Sequence, residues 1–128
     1  MKLRFSWQHV SGRLIADCSS DVVNEDGISI LCCLLSDDGG QGAIDTLPWV
    51  DEGISLATKV ASNEIAQAEW DRDAWGAKLS HDQVQLYSLH DEDYVQYISI
   101  ESFHAALREW KTFLKIKPDV NAAYEAVV

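Results

Sequence analysis

The sequence predicts a single α+β domain spanning residues 1–128, an antiparallel meander with two main helices packed against it. Three observations predict this. A long amphipathic stripe runs from Ile98 to Lys117, and a stripe rich in small residues runs from Pro48 to Asn63. Between them, from Glu64 to Ile98, the hydrophobic period falls from that of a helix to two, the period of a half-buried strand.

Taken in order, Leu3, Phe5 and Trp7 alternate with Lys2, Arg4 and Ser6, as in a strand with one buried face. Ser11-Gly12 is a turn signal, and Arg13–Asp17 fits the returning strand of a hairpin. Residues 18–27 are polar and acidic and read as a loop. Ile28–Leu35 is a continuous apolar run flanked by Gly27 and by Ser36-Asp37-Asp38-Gly39-Gly40, a length and setting expected of a buried strand. Gly39-Gly40-Gln41-Gly42 lacks the spacing of a phosphate loop and follows two aspartates that would repel phosphate, so it is expected to be a turn.

In the helix expected over Pro48–Asn63, proline suits the first position, and Asp51 and Glu52 complement the positive end of the dipole. Val50, Ile54, Ala57 and Ala61 form its stripe, with Gly53 and Val60 beside it. Short alternating runs follow, separated by the turns Asp71-Arg72-Asp73, His81-Asp82 and His90-Asp91-Glu92-Asp93. The closing helix has Ser99 as N-cap and Glu101 in its first turn, with Ile98 and Phe103 placed as a hydrophobic staple. Phe103, Ala106, Leu107, Trp110, Phe113 and Leu114 make its core face, and Pro118 stops it. Residues 119–128 are expected to form a short helix or a frayed end. About six strands would make the sheet, and Trp7, Trp70 and Trp110 fall on core stripes.

Charge limits the function. The formal net charge is −11, the wrong sign for direct binding of nucleic acid or an anionic membrane and the right sign for a basic protein partner. The acidity is uneven. No Lys or Arg lies between Leu14 and Thr58, while Asp17, Asp21, Glu25, Asp26, Asp37, Asp38, Asp45, Asp51 and Glu52 do. No transmembrane-length run or secretory h-region is present, so the expected compartment is the cytoplasm. Cys18, Cys32 and Cys33 include no C-x-x-C pair and are expected to be reduced thiols, with Cys32 and Cys33 acting as small hydrophobes.

No pattern specifies a reaction. His9, His81, His90 and His104 show no ligand spacing, and no nucleophile motif occurs, so no metal, cofactor or catalytic residue is assigned. The carboxylates of Asp71, Asp73 and Asp91–Asp93 lie on turns, where nothing local raises a pKa for acid–base work. A tryptophan among carboxylates can instead anchor a protein partner. Asp71, Asp73, Trp75, Asp91, Glu92 and Asp93 are therefore the first candidate contacts, with Asp37 and Asp38 second.

Residues 48–114 also resemble a known group. The helix, the segment E-W-D-R-D-A-W-G-A at Glu69–Ala77, the strand containing Val84, and I-S-I-E-S-F-H-A-A-L-R-E-W-K-T-F-L at Ile98–Leu114 are similar to immunity proteins of bacterial contact-dependent growth inhibition and related polymorphic toxin systems. The resemblance implies a cytoplasmic, non-enzymatic α+β protein that binds one cognate toxin domain, often a nuclease, and occludes its active site. The group's binding residues vary with the toxin, so no site carries over by motif. The rival expectations are an acidic adaptor that binds a basic partner other than a toxin, and a small metal-dependent hydrolase using the His81 and His90 turns.

Overall fold

A computed structural model of the chain describes residues 1–91 and 93–128. The α+β class holds, with antiparallel strands throughout, but the strands divide between two sheets instead of forming one. The first sheet holds β1 (Lys2–Val10), β2 (Arg13–Ser20) and β7 (Ala123–Val127) in the order β2-β1-β7. The second is the expected meander, β3 (Gln67–Asp71), β4 (Trp75–Ser80), β5 (Val84–Ser88) and β6 (Val95–Ile98). Among the described residues, three α-helices, α1 (Ile30–Leu35), α2 (Leu47–Ala61) and α3 (Ile100–Lys115), and a 3-10 turn at Ala43–Thr46 complete the fold.

The β1–β2 hairpin turns on Ser11 and Gly12, with φ of 52° and 78°. Positive φ at both central residues matches the right-handed twist of the flanking strands. Leu3, Phe5 and Trp7 face inward and are buried, as the alternation predicts. β7 corrects the expectation of a helical or frayed tail. It pairs with β1 from Lys2↔Val127 to Ser6↔Ala123, and Tyr124 stacks on Phe5 with centroids 5.9 Å apart. The partner that makes this segment a strand lies at the other end of the chain.

α3 behaves as its sequence predicts. Ser99 accepts the Ser102 N–H at 3.0 Å, and all six residues of the expected core face are buried. Phe5 meets Trp110 edge-on at 5.0 Å, and Trp7 stacks on Phe113 at 5.4 Å, so α3 covers the first sheet. The helix ends at Lys115, with Ile116 already extended. Pro118 disfavours helical geometry at Lys117, which accounts for the early stop.

α2 begins at Leu47, so Asp51 lies in its second turn instead of helping the N-terminal dipole, and pairs with Lys111 of α3 at 2.6 Å. Its buried face is Val50, Gly53, Ala57 and Val60, rotated from the expected stripe toward the smallest side chain. Gly53 is the reason, because the Trp70 indole occupies the space where a Cβ would sit. The helix closes in a Schellman motif. Asn63 takes φ 61°, its N–H reaches Val60 O at 3.1 Å, and the Glu64 N–H reaches Lys59 O at 2.9 Å. The first meander strand therefore starts at Gln67, later than the change of period suggested.

The apolar run at Ile28–Leu35 is the clearest correction, since it forms α1 and not a strand. Ser29 caps it by accepting the Cys32 N–H at 3.1 Å. Gln96 Oε1, from β6, accepts the N–H groups of Ile30 at 3.0 Å and Leu31 at 3.3 Å. A single isolated helix of this length does not survive in water. α1 persists because Gln96 satisfies two of its free donors and because Ile30, Leu31, Leu34 and Leu35 are all buried. Gln96→Leu is expected to leave both donors unpaired and to cost about 1–2 kcal/mol in urea denaturation. An unchanged midpoint would show that α1 is held by packing alone.

Candidate functional site

The meander's connectivity decides which turns meet. β3 ends and β4 begins at the Arg72–Ala74 turn, while β5 ends and β6 begins at the 89–94 turn, so these two share one end of the sheet. The 81–83 turn lies at the other end. Leu89 N–H donates to Ala74 O at 2.9 Å and joins the two neighbouring turns directly.

Two loops from the first half of the chain close on the same end. Asp37, just after α1, accepts through a single carboxylate oxygen the backbone N–H groups of Asp73 at 3.1 Å, Ala74 at 2.8 Å and Trp75 at 3.2 Å. Arg72 reaches back to Gln41 Oε1 at 3.0 Å and to Asp38 O at 3.5 Å. In the preceding loop, Asn24 Nδ2 donates to the Tyr94 hydroxyl at 2.6 Å, and that hydroxyl donates to Asp26 at 3.4 Å. Four segments distant in sequence (24–28, 37–41, 71–75 and 89–94) thus converge.

The result is a strongly anionic end. Glu25, Asp26, Asp71, Asp73, Asp91 and Asp93 are exposed, and Asp37 and Asp38 are half-buried. Arg72 is the one Lys or Arg within these four segments, and its guanidinium lies 5.2 Å from the Trp49 ring centre, over the indole face. Trp49 also stacks on Trp70 at 3.9 Å. The cation these segments carry is therefore half-buried against an aromatic surface, while exposed Arg13 of β2 reaches Gly40 O at 3.4 Å from outside them.

Seven of the eight expected contacts can be placed, and all seven belong to this end; Glu92 lies outside the described residues. Their roles differ. Asp73, Asp91 and Asp93 are exposed turn residues. Asp37 holds the β3–β4 turn in shape, and Asp38 Oδ1 accepts the Gly40 N–H at 2.8 Å. Trp75 is half-buried, tilted against Tyr94 with centroids 6.2 Å apart, so it offers only part of its ring. Asp71 belongs to the outer face of the meander, next to Gly76 and Tyr87.

That outer face has residues that turn-based reasoning overlooked. Glu69, Lys78, Gln85, Tyr87 and Tyr97 point away from the core by strand alternation, and Tyr97 is 55% exposed. Lys78 Nζ sits 5.3 Å from the Tyr87 ring centre, and the Tyr87 ring fills the space above Gly76. Burial first, then the charges of Glu69 and Asp71, push the Tyr87 phenol above its ordinary pKa. A shallow concavity of about 580 Å³ lies on this face, lined in part by Glu69, Lys78, Ser80 and Gln85. The period-two pattern of β5 and β6 was the available signal for Tyr87 and Tyr97.

The histidines do not converge. His81 and His90 stand at opposite ends of the meander, both exposed. His104, on α3, contacts Thr58 Oγ1 at 3.0 Å. The same hydroxyl lies 2.9 Å from Ile54 O. Burial, aided by Arg108, lowers the His104 pKa. Among the described residues, no group of three or more His, Cys, Asp or Glu side chains is placed to hold a metal ion, and no helix is long and apolar enough to cross a membrane.

Compared with protein-family models, with curated proteins and with solved structures, the chain matches none.

Proposed function

We propose that this chain is an immunity protein that binds a cognate toxin domain, basic and nuclease-like, through the acidic end of the meander and neutralises it by covering its active site. The observation that carries the reading is the convergence of four acidic segments on one end, with their single arginine folded onto Trp49. A nuclease surface is basic because it must hold phosphate, and a fixed anionic surface competes for the same cations. The resemblance over residues 48–114 supports the same partner class. Binding of this kind requires no catalytic group in the chain itself.

The test has two parts. Tagged protein is used to capture a partner from the source lysate, and the captured protein is then expressed alone and with this chain. A stoichiometric basic partner that is toxic alone and harmless in co-expression is expected. Next, Asp73→Lys, Asp91→Lys and Asp93→Lys are combined. Close interfacial charge pairs couple by about 1.5–7 kcal/mol, so the triple variant is expected to lose at least about a hundredfold in affinity while unfolding at the wild-type midpoint. Unchanged affinity would remove the acidic end as the contact surface. A basic partner with no toxicity would support the adaptor reading instead.

A further inference from the structure

All three cysteines of the chain line one surface cavity of about 300 Å³, between β2, the loop before α1, and α1 itself. They arrive from different directions. Cys18 stands opposite Phe5 in the β1–β2 register and so faces inward, where α1 packs on β2. Cys32 lies in the first turn of α1, and Cys33 follows it. All three are free thiols.

The environment distinguishes Cys32 from its neighbours. The neighbouring Cys18 thiol, helped by Ser29 and opposed by burial and Asp17, lowers the Cys32 pKa. Cys18 is displaced strongly upward, first by the neighbouring Cys32 and then by burial. Cys33 is also raised, by burial and by the neighbouring Cys32 and Asp37. A thiolate-prone sulfur and a protonated one thus line the same cavity. Cys32 is 5% exposed, so reagents reach it through the cavity and must be small.

We propose that Cys32 and Cys18 form an oxidation site at which a small hydroperoxide converts the two thiols into a disulfide linking α1 to β2. The Cys32 thiolate attacks the peroxide, the O–O bond breaks, and with one proton taken up the products are a Cys32 sulfenic acid and water (or an alcohol). The Cys18 sulfur then attacks the sulfenic sulfur, the S–O bond breaks, and a second water leaves as the S–S bond forms. Two thiols are oxidised by two electrons and one peroxide is reduced. The site is independent of the partner-binding reading, because none of its cysteines belongs to the acidic end.

The test treats the folded protein with one equivalent of hydrogen peroxide, alkylates the remaining thiols and maps the peptides. A Cys18–Cys32 link, one alkylated thiol at Cys33, and full reversal by dithiothreitol are expected. Cys33→Ser should form the same link. Cys18→Ala, which keeps an apolar group beside Phe5, should instead let dimedone trap the sulfenic acid on Cys32. Three alkylated thiols after peroxide, a Cys32–Cys33 link, or first modification at Cys33 would each overturn the proposal. Should Cys18→Ala fail to fold, the wild-type and Cys33→Ser maps decide the matter.

Discussion

Trp70→Ala is expected to destabilise the protein by about 3–5 kcal/mol, the largest loss we foresee from a single substitution. Trp70 is 3% exposed and joins three elements. It stacks on Trp49 at 3.9 Å, meets Phe103 edge-on at 5.9 Å, and donates its indole N–H to Trp49 O at 3.0 Å. Its ring also lies against Gly53, whose added Cβ would sit 2.6 Å from Trp70 Cε2. Removing the indole opens a cavity between α2, α3 and β3 that a glycine cannot fill. Urea denaturation measures the loss, and a change below about 1 kcal/mol would mean the site collapses around the gap.

Gly53→Ala probes the same contact from the helix side. Helix propensity alone favours alanine by about 1 kcal/mol. The overlap with a ring held by Trp49, Phe103 and its own N–H bond opposes it, so destabilisation is expected from the substitution that propensity would recommend.

Asp37→Ala is the second large effect, at roughly 2–4 kcal/mol, because three backbone donors lose one shared acceptor and the turn that carries Asp73 loses its anchor. Half-burial of Asp37 places this below the sum of three separate charge-assisted bonds. Asp37→Asn, which retains one acceptor oxygen, should lose less. Hydrogen exchange locates the effect: the amides of residues 73–75 should exchange faster in Asp37→Ala than those of β5. Uniform exchange rates would show that the turn is held by Arg72 and Leu89 instead. This result also separates two roles within the acidic end. A loss of partner binding in Asp37→Ala comes through the shape of the turn, whereas a loss in the Asp73, Asp91 and Asp93 variants comes through charge.

α3 and the meander were legible because their signals are local. Ser99 caps a helix three residues away, and Trp70, Ala77, Leu79 and Leu86 alternate within their own strands. The candidate site was legible in composition but not in assembly. The acidic turns could be named, yet nothing in residues 24–41 shows that they fold onto residues 71–94. The outer-face tyrosines, Tyr87 and Tyr97, lie on strands between the charged turns, where period two marks a solvent-facing side chain but not a contact.

By itself, then, the amino-acid sequence determined the α+β class, the capped and striped closing helix, the period-two meander and the excess of negative charge. These follow from side-chain spacing and ionisation, which need no distant partner. Only the tertiary structure decided that Ile30–Leu35 is helical, that the tail is a strand, that four acidic segments share one end, and that Cys18 and Cys32 line one cavity. Each depends on a group far along the chain, such as Gln96 at a separation of 66 residues from Ile30 or β1 at the opposite terminus from β7. An apolar run satisfies a buried strand and a buried helix equally well until a remote side chain supplies the hydrogen bonds that one of them lacks.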